Sequence, residues 1–300
     1  MDRGASILSK LKNKAKTEAI SYQHCLQLFF QEEFLRRLSK SHYMGNFVLK
    51  GGLFIYTLTG FESRATVDID FLLRQMDSDP RYMDGVIAEI LTTPTGNNDV
   101  VILEAKKFEQ ITPHREYPGV STQIIGRIKN VRVPFNVDIG VGDVIVPAAE
   151  KRQVNTQLAD FESPVIMTYS IESVIAEKLD AILQRLELTG RMKDFYDLYY
   201  LARKFNFSGE KLQKAIAETL RTRKTVHDEK SFDRIIELKF NPDMHTKWRY
   251  FLKTIGDEHL QFEMVISQIE QLLSPIYSAM VKGERLNRNW DSQRNSWVSN

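Results

Sequence analysis

Cysteine is almost missing from this chain of 300 residues: Cys25 stands alone. Neither an intrachain disulfide nor a thiolate metal cluster can form, and a secreted disulfide scaffold is excluded. No apolar run reaches the roughly 18 residues of a membrane span. The basic start, with Lys10, Lys12, Lys14 and Lys16, runs into Thr17-Glu18-Ala19 rather than an apolar signal core. Internal repeats and low-complexity tracts are also missing. A cytoplasmic protein with no membrane partner is therefore expected.

What is present is ordinary in bulk and uneven in detail. Hydrophobic residues make up 42% and charged residues 27%, near globular averages, which excludes disordered, collagenous and fibrous chains. A chain this long buries roughly three quarters of its unfolded surface and divides into about two domains. The net charge of +2 conceals segregation: residues 1–50 carry +5, residues 51–200 carry −7 and residues 201–300 carry +4. An acidic middle between basic ends is either a cation-binding centre flanked by polyanion-binding surfaces or a fluctuation in solvated charge.

Apolar spacing predicts a helix from Thr17 to Leu38, then a strand, Phe47-Val48-Leu49, running into Lys50-Gly51-Gly52. A short helix is expected over 53–58, ending near Gly60, followed by a strand over 65–73 in which Val67, Ile69, Phe71 and Leu73 share one face. A helix over 82–91 precedes strands over 100–112, 121–128 and 131–140, the last two joined by a Lys129-Asn130 turn. From Ile171 onward helical periodicity dominates, over 171–188, 191–205, 209–223 and two stretches between 244 and 282. The pattern predicts an α+β chain: a mixed α/β domain over 1–150 with an N-terminal helical arm, and a helical domain over 151–300.

Asp68 and Asp70 stand two residues apart on the expected strand, so their side chains leave it on one side. Adjacent carboxylates repel unless a cation lies between them, and Asp is a poor strand former. Either the pair binds a divalent metal, which Mg²⁺ does through one or two carboxylates plus substrate phosphates, or it decorates a solvent-facing strand. Gly51-Gly52 ends a strand and opens a helix, a place where bare backbone N–H groups can receive phosphate. Asp138 shares the non-apolar face of its strand with Asn136; it is a third carboxylate or a strand-end cap.

Two further oddities lie in the helical half. Lys178 falls inside the apolar stripe of its helix, so it either snorkels outward or faces an anion. On the next helix Asp194 lies within the stripe, Asp197 at its margin and Arg191 near its start. A buried acid facing a buried base is weak evidence for stability, which makes a role in a site the more economical reading. The cluster Arg221, Arg223 and Lys224, with Arg203, Lys204, Lys211 and Lys214, is either an RNA-backbone surface or a solvated face. Trp290 and Trp297 either stack bases or pack the C-terminus.

Gly-Gly followed by Asp-x-Asp in a strand–turn–helix–strand context resembles the polymerase β-type nucleotidyltransferase signature. Longer matches are Leu49-Lys50-Gly51-Gly52, Arg64-Ala65-Thr66-Val67-Asp68-Ile69-Asp70-Phe71, Val137-Asp138-Ile139-Gly140-Val141-Gly142-Asp143, Ala176-Glu177-Lys178-Leu179-Asp180-Ala181 and Arg191-Met192-Lys193-Asp194-Phe195-Tyr196-Asp197-Leu198. Together, from about residue 47 to 201, they resemble the AbiEii/MenT-type nucleotidyltransferase toxins of type IV toxin–antitoxin and phage-abortive systems. The resemblance implies a polymerase β-like nucleotidyltransferase domain with a mixed sheet, followed by a helical domain that contributes Lys178 and Asp194 to the site.

It also implies transfer of a nucleoside monophosphate from an NTP to an RNA acceptor, the tRNA 3′ end in some relatives, with Mg²⁺ (or Mn²⁺ in its place). Asp68, Asp70 and Asp138 would hold the metals, with Asp138 acting on the acceptor hydroxyl. Lys178 would neutralise triphosphate charge and Asp194 would position it or the nucleotide. Lys50, Gly51, Gly52, Arg64, Thr66, Arg191 and Asp197 would bind the nucleotide, and a winged-helix antitoxin would be the cognate partner. Two alternatives stay open: transfer or kinase chemistry on a small-molecule or protein hydroxyl, and a nucleotide-binding regulatory module without turnover.

Overall fold

The computed structural model describes residues 2–60, 63, 64, 66–106, 108–111, 119–257 and 259–299. Ala65, at the start of the expected strand over 65–73, and residues 107 and 112 of the strand expected over 100–112, lie outside that set. The chain divides into two compact units, Met1–Gly142 with Ala149–Tyr169, and Asp143–Ala148 with Ser170–Asn300. The change expected at residue 150 is thus displaced: residues 149–169 stay with the first unit because their second strand pairs in parallel with the Phe47–Lys50 strand.

In the first unit the helices are α1 (Arg3–Thr17), α2 (Tyr22–Lys40), α3 (Gly51–Leu58) and α4 (Pro80–Thr92). The strands are β1 (Phe47–Lys50), β2 (Ile69–Leu73), β3 (Ile102–Ala105), β4 (Glu109–Ile111), β5 (Gly119–Ile128), β6 (Val131–Gly140), β7 (Glu150–Gln153) and β8 (Val165–Thr168). The helix expected from Thr17 breaks there instead, because Ser21 caps α2 by accepting from the His24 backbone N–H at 3.1 Å. The strands form one mixed sheet in the order β3-β5-β6-β2-β1-β8-β7, with β4 paired to β5. Pairing of β2 with β6 and of β1 with β8 is parallel; the other pairs are antiparallel.

Helix α2 is the spine of this unit. Its Phe34 ring meets Phe71 and Phe135, and Phe47 meets Phe71 edge-on, so these rings form the core on one face of the sheet. Burying each such ring contributes about 1.5–3 kcal/mol. The same helix carries buried charge: Glu33 pairs with Arg36 and Arg37 and accepts from Thr95 Oγ1 at 2.6 Å and Asn97 Nδ2 at 3.2 Å. Arg37 donates onward to the backbone oxygens of Leu91 and Val101. These bonds tie the segment after α4 to α2 without disulfides.

The second unit contains α5 (Ile171–Arg185), α6 (Met192–Lys204), α7 (Gly209–Thr222), α8 (Ser231–Glu237), α9 (Pro242–Ile255) and α10 (Phe262–Val281). Short strands β9 (Phe207–Ser208), β10 (Arg288–Asp291) and β11 (Ser296–Ser299) make a small antiparallel sheet. Trp290 is 1% exposed, donates to the Ala202 oxygen and packs edge-on against Trp297. Trp290 is thus packed inside its unit and offers no face to a base, while Trp297 stays partly exposed. No helix among the described residues is long and apolar enough to cross a membrane.

Candidate active site

One row of side chains crosses four neighbouring strands. Lys50 on β1 stands opposite Asp70 on β2, Asp70 opposite Asp138 on β6, and Asp138 opposite Ser121 on β5. Because side chains alternate along a strand, burying Phe71, Val137 and Ile139 beneath α2 turns this row to the opposite face. All four residues are half-buried. Ser121 Oγ donates to Asp138 Oδ1 at 2.5 Å, and Asn136 Nδ2 donates to Asp68 Oδ1 at 3.1 Å. Strand β2 begins at Ile69, so Asp68 precedes it by one residue, and the Asn136 amide holds it beside the row.

The glycine turn packs directly on this row. Gly51 opens α3 with φ +67°, the left-handed region, and a Cβ there would overlap the Asp70 carboxylate. Glycine is required at this position on both counts. A Cβ on Gly52 would lie 2.9 Å from Thr66 Oγ1 and 3.4 Å from Arg64 Nη2, so both side chains stand at the turn. Lys50, the residue before the helix, makes no side-chain cap to it, and its ammonium lies 5.3 Å from the Tyr169 ring centroid. The structure therefore gathers Lys50, Gly51, Gly52, Arg64, Thr66, Asp68, Asp70 and Asp138 in the first unit.

Lys178, Arg191, Asp194 and Asp197 meet in the second unit. Lys178 on α5 is 8% exposed, and its Nζ lies 3.0 Å from Asp194 Oδ1 and 2.6 Å from Asp197 Oδ2 on α6. Arg191 Nε donates to the other Asp194 oxygen at 2.6 Å, with its own side chain 45% exposed. Burial alone would raise the Asp194 pKa, but the Lys178 charge and the Arg191 hydrogen bond outweigh it and hold the carboxyl well below its usual range. Lys178 does not snorkel to solvent; it is a buried cation between two carboxylates.

Arg223 departs from the expected basic surface. Its side chain is 12% exposed and lies 2.9 Å from Asp143, 3.2 Å from Glu177 and 2.9 Å from Asp180. Burial would lower its pKa, but these three carboxylates raise it instead. A guanidinium so enclosed is part of the core of its unit. Arg221, by contrast, is exposed and pairs with Glu218 on its own helix at 2.6 Å.

Sequence reasoning did not single out Ser121, although its signal was available. Counting back equally from the Lys129-Asn130 turn places it opposite Asp138. Among the described residues no group of three or more His, Cys, Asp or Glu side chains stands close enough to hold a metal ion alone. The donor chemistry still suits a hard cation: Asp70 and Asp138 present carboxylate oxygens in register, and Mg²⁺ usually takes one or two carboxylates and completes its shell with phosphate and water.

The family model described as "Nucleotidyl transferase AbiEii toxin, Type IV TA system" matches residues 33–271, well over half of the chain. Among solved structures, a candidate nucleotidyltransferase from H. pylori is 15% identical with a TM-score of 0.54, covering 89% of this chain and 100% of that one. JHP933 from Helicobacter pylori is 15% identical with a TM-score of 0.52, covering 88% and 95%. MenT4, a nucleotidyltransferase toxin from Mycobacterium tuberculosis H37Rv, is 14% identical with a TM-score of 0.51, covering 92% and 99%. At these identities the likeness is one of fold. No curated protein matches the sequence.

Proposed function

The chain belongs to the AbiEii nucleotidyltransferase toxin family, and on that premise we propose that it moves a nucleoside monophosphate from an NTP to an RNA hydroxyl, the tRNA 3′ end in particular. The observation that carries this reading is the Gly51-Gly52 turn packed against Asp70, itself in register with Asp138. A polyphosphate needs backbone donors and a cation-binding carboxylate side by side. In the reaction the acceptor oxygen forms a bond to the α-phosphorus, the α–β anhydride bond breaks, and pyrophosphate leaves. The hydroxyl proton passes to Asp138.

Asp70 and Asp138, in register, would hold Mg²⁺, or Mn²⁺ in its place, with phosphate and water completing the shell and Asp68 beside them. When bound, the metal supplies charge neutralisation for the attacking and leaving oxygens. Asn136 keeps Asp68 oriented, and Ser121 does so for Asp138. The N–H groups of Gly51 and Gly52, with Lys50, Arg64 and Thr66, receive phosphate oxygens. Phosphoryl transfer depends mostly on such positioning and electrostatics.

The RNA part rests on Arg203, Lys204, Lys211, Lys214, Arg221 and Lys224, since Arg223 is internal. A winged-helix antitoxin is the proposed regulator, encoded beside the toxin. Incubating the protein with Mg²⁺, each labelled NTP and total RNA tests the assignment. Label should enter RNA of tRNA size, and Asp70→Asn should lower it on the order of 10²–10³-fold. Label entering protein or a small molecule points to a different hydroxyl, and nucleotide binding without pyrophosphate release points to a regulatory module; either result removes the RNA reading.

A further inference from the structure

A cavity of about 330 Å³ opens in the first unit between the later turns of α3 and the edge strand β7. Phe54 and Leu58 give it apolar walls, with Thr57 beside them, while Arg152, Gln153 and Asn155 bring polar groups. Arg152 Nε is buried and has no hydrogen-bond partner among the described residues. Gln153 and Asn155 present exposed amides with no side-chain hydrogen bond among the described residues. Buried donors are seldom left without an acceptor in folded proteins, least of all on a cation. The volume falls in the range of small-molecule sites, about 300–1,000 Å³.

We infer that this cavity binds a small molecule that joins one oxyanion to an apolar body. The reading does not depend on the transferase assignment. Arg152 Nη2 already donates to Glu150 Oε2 at 2.7 Å, but the Glu150 side chain is 57% exposed. A two-oxygen head takes Nε–H and Nη2–H together in the fork geometry that guanidinium offers, releasing Glu150 to water. The apolar body then lies along Leu58 and the Phe54 side of α3, with the two amides at the rim. Inorganic phosphate offers the same oxygens without the body, so head and body are separable by experiment.

The full chain, ¹⁵N- and methyl-labelled, is titrated with benzoate, benzyl alcohol and inorganic phosphate. Signals followed are the Arg152 Nε–H and the Leu58 and Thr57 methyls. Benzoate should shift all three saturably, and the other two probes should bind at least about tenfold more weakly, the worth of one charged hydrogen bond or of the buried apolar body. Arg152→Gln should weaken benzoate by about tenfold or more. Glu150→Ala should tighten it severalfold. The inference is overturned if benzoate gives no saturable shift, if Arg152→Gln binds it equally well, or if phosphate or benzyl alcohol matches it. An unchanged affinity in Glu150→Ala overturns the release of Glu150.

Discussion

In the sheet unit Asp68, Asp70 and Asp138 are half-buried, and neutral side chains, Asn136 and Ser121, donate to two of them. In the helical unit Asp194 and Asp197 are each 1% exposed and locked to Lys178, while Asp143, Glu177 and Asp180 surround Arg223. The difference separates two uses of the same chemical group. Half-buried carboxylates in register stay within reach of solvent and its cations, whereas carboxylates sealed around buried cations hold helices together. Removing a charge from the first set should cost activity, and removing one from the second should cost stability first.

The largest effect expected is on the row. Asp70→Asn or Asp138→Asn should lower nucleotide transfer on the order of 10²–10³-fold, measured as pyrophosphate release, with little change in melting temperature. Equal losses of activity and stability would break the contrast. Next comes Lys178→Met, which leaves Asp194 and Asp197 buried with one cation fewer and should destabilise by about 3–5 kcal/mol. All three tryptophans, Trp248, Trp290 and Trp297, belong to the helical unit, so denaturation followed by their fluorescence reads that loss directly.

Gly51→Ala should cost about 1–3 kcal/mol through its left-handed backbone. It should also lower activity by pushing the Asp70 carboxylate aside; a fully active variant would sever the turn from the row. A smaller effect is the opposite pH response of two buried acids. Burial pushes the Glu32 carboxyl up to about 8 from 4.5, against the opposing pull of the Gln157 backbone N–H and Arg36. Between those values the folded chain keeps a proton that the unfolded chain releases, so stability falls as pH rises through this window. Glu32→Gln should flatten that slope in urea titrations followed by circular dichroism.

Asp194 carries the reverse sign. Its pKa is held below the ordinary 3.8, so its contribution is present above that value and lost as pH falls beneath it. Tryptophan fluorescence should show the helical unit loosening there on acidification. The smallest change expected is in Arg221→Ala, within about 0.5 kcal/mol of the parent, whereas Arg223→Ala should behave like Lys178→Met. Matching melts for the two arginine variants would contradict the burial of Arg223.

Much of the fold was legible from residues alone where periodicity was strong. The strand expected over 131–140 runs over those residues, and helices expected over 171–188, 191–205 and 209–223 appear as α5, α6 and α7. What escaped were elements too short or too polar to show a period. Strand β7, Glu150-Lys151-Arg152-Gln153, has no alternating apolar face and exists because β8 offers it a ladder. Strands β9, β10 and β11 likewise depend on one another, with Trp290 as their anchor.

For the candidate site, spacing marked the Gly-Gly turn, the Asp68 and Asp70 pair and the charged positions on two apolar helix faces, because each breaks a local rule of propensity or burial. Asp138 read equally as a strand-end cap until the family resemblance was counted. The identity of a charge's partner is not a local property. Arg221 and Arg223 stand two residues apart on a basic stretch, yet one is solvated and the other enclosed by Asp143, Glu177 and Asp180, which come from as far as 80 residues away. Sequence spacing determined which side chains could not be ordinary. Only the packing of strands in register and helix on helix decided which charges were neutralised inside the fold, since that depends on distances in space and on exclusion of water.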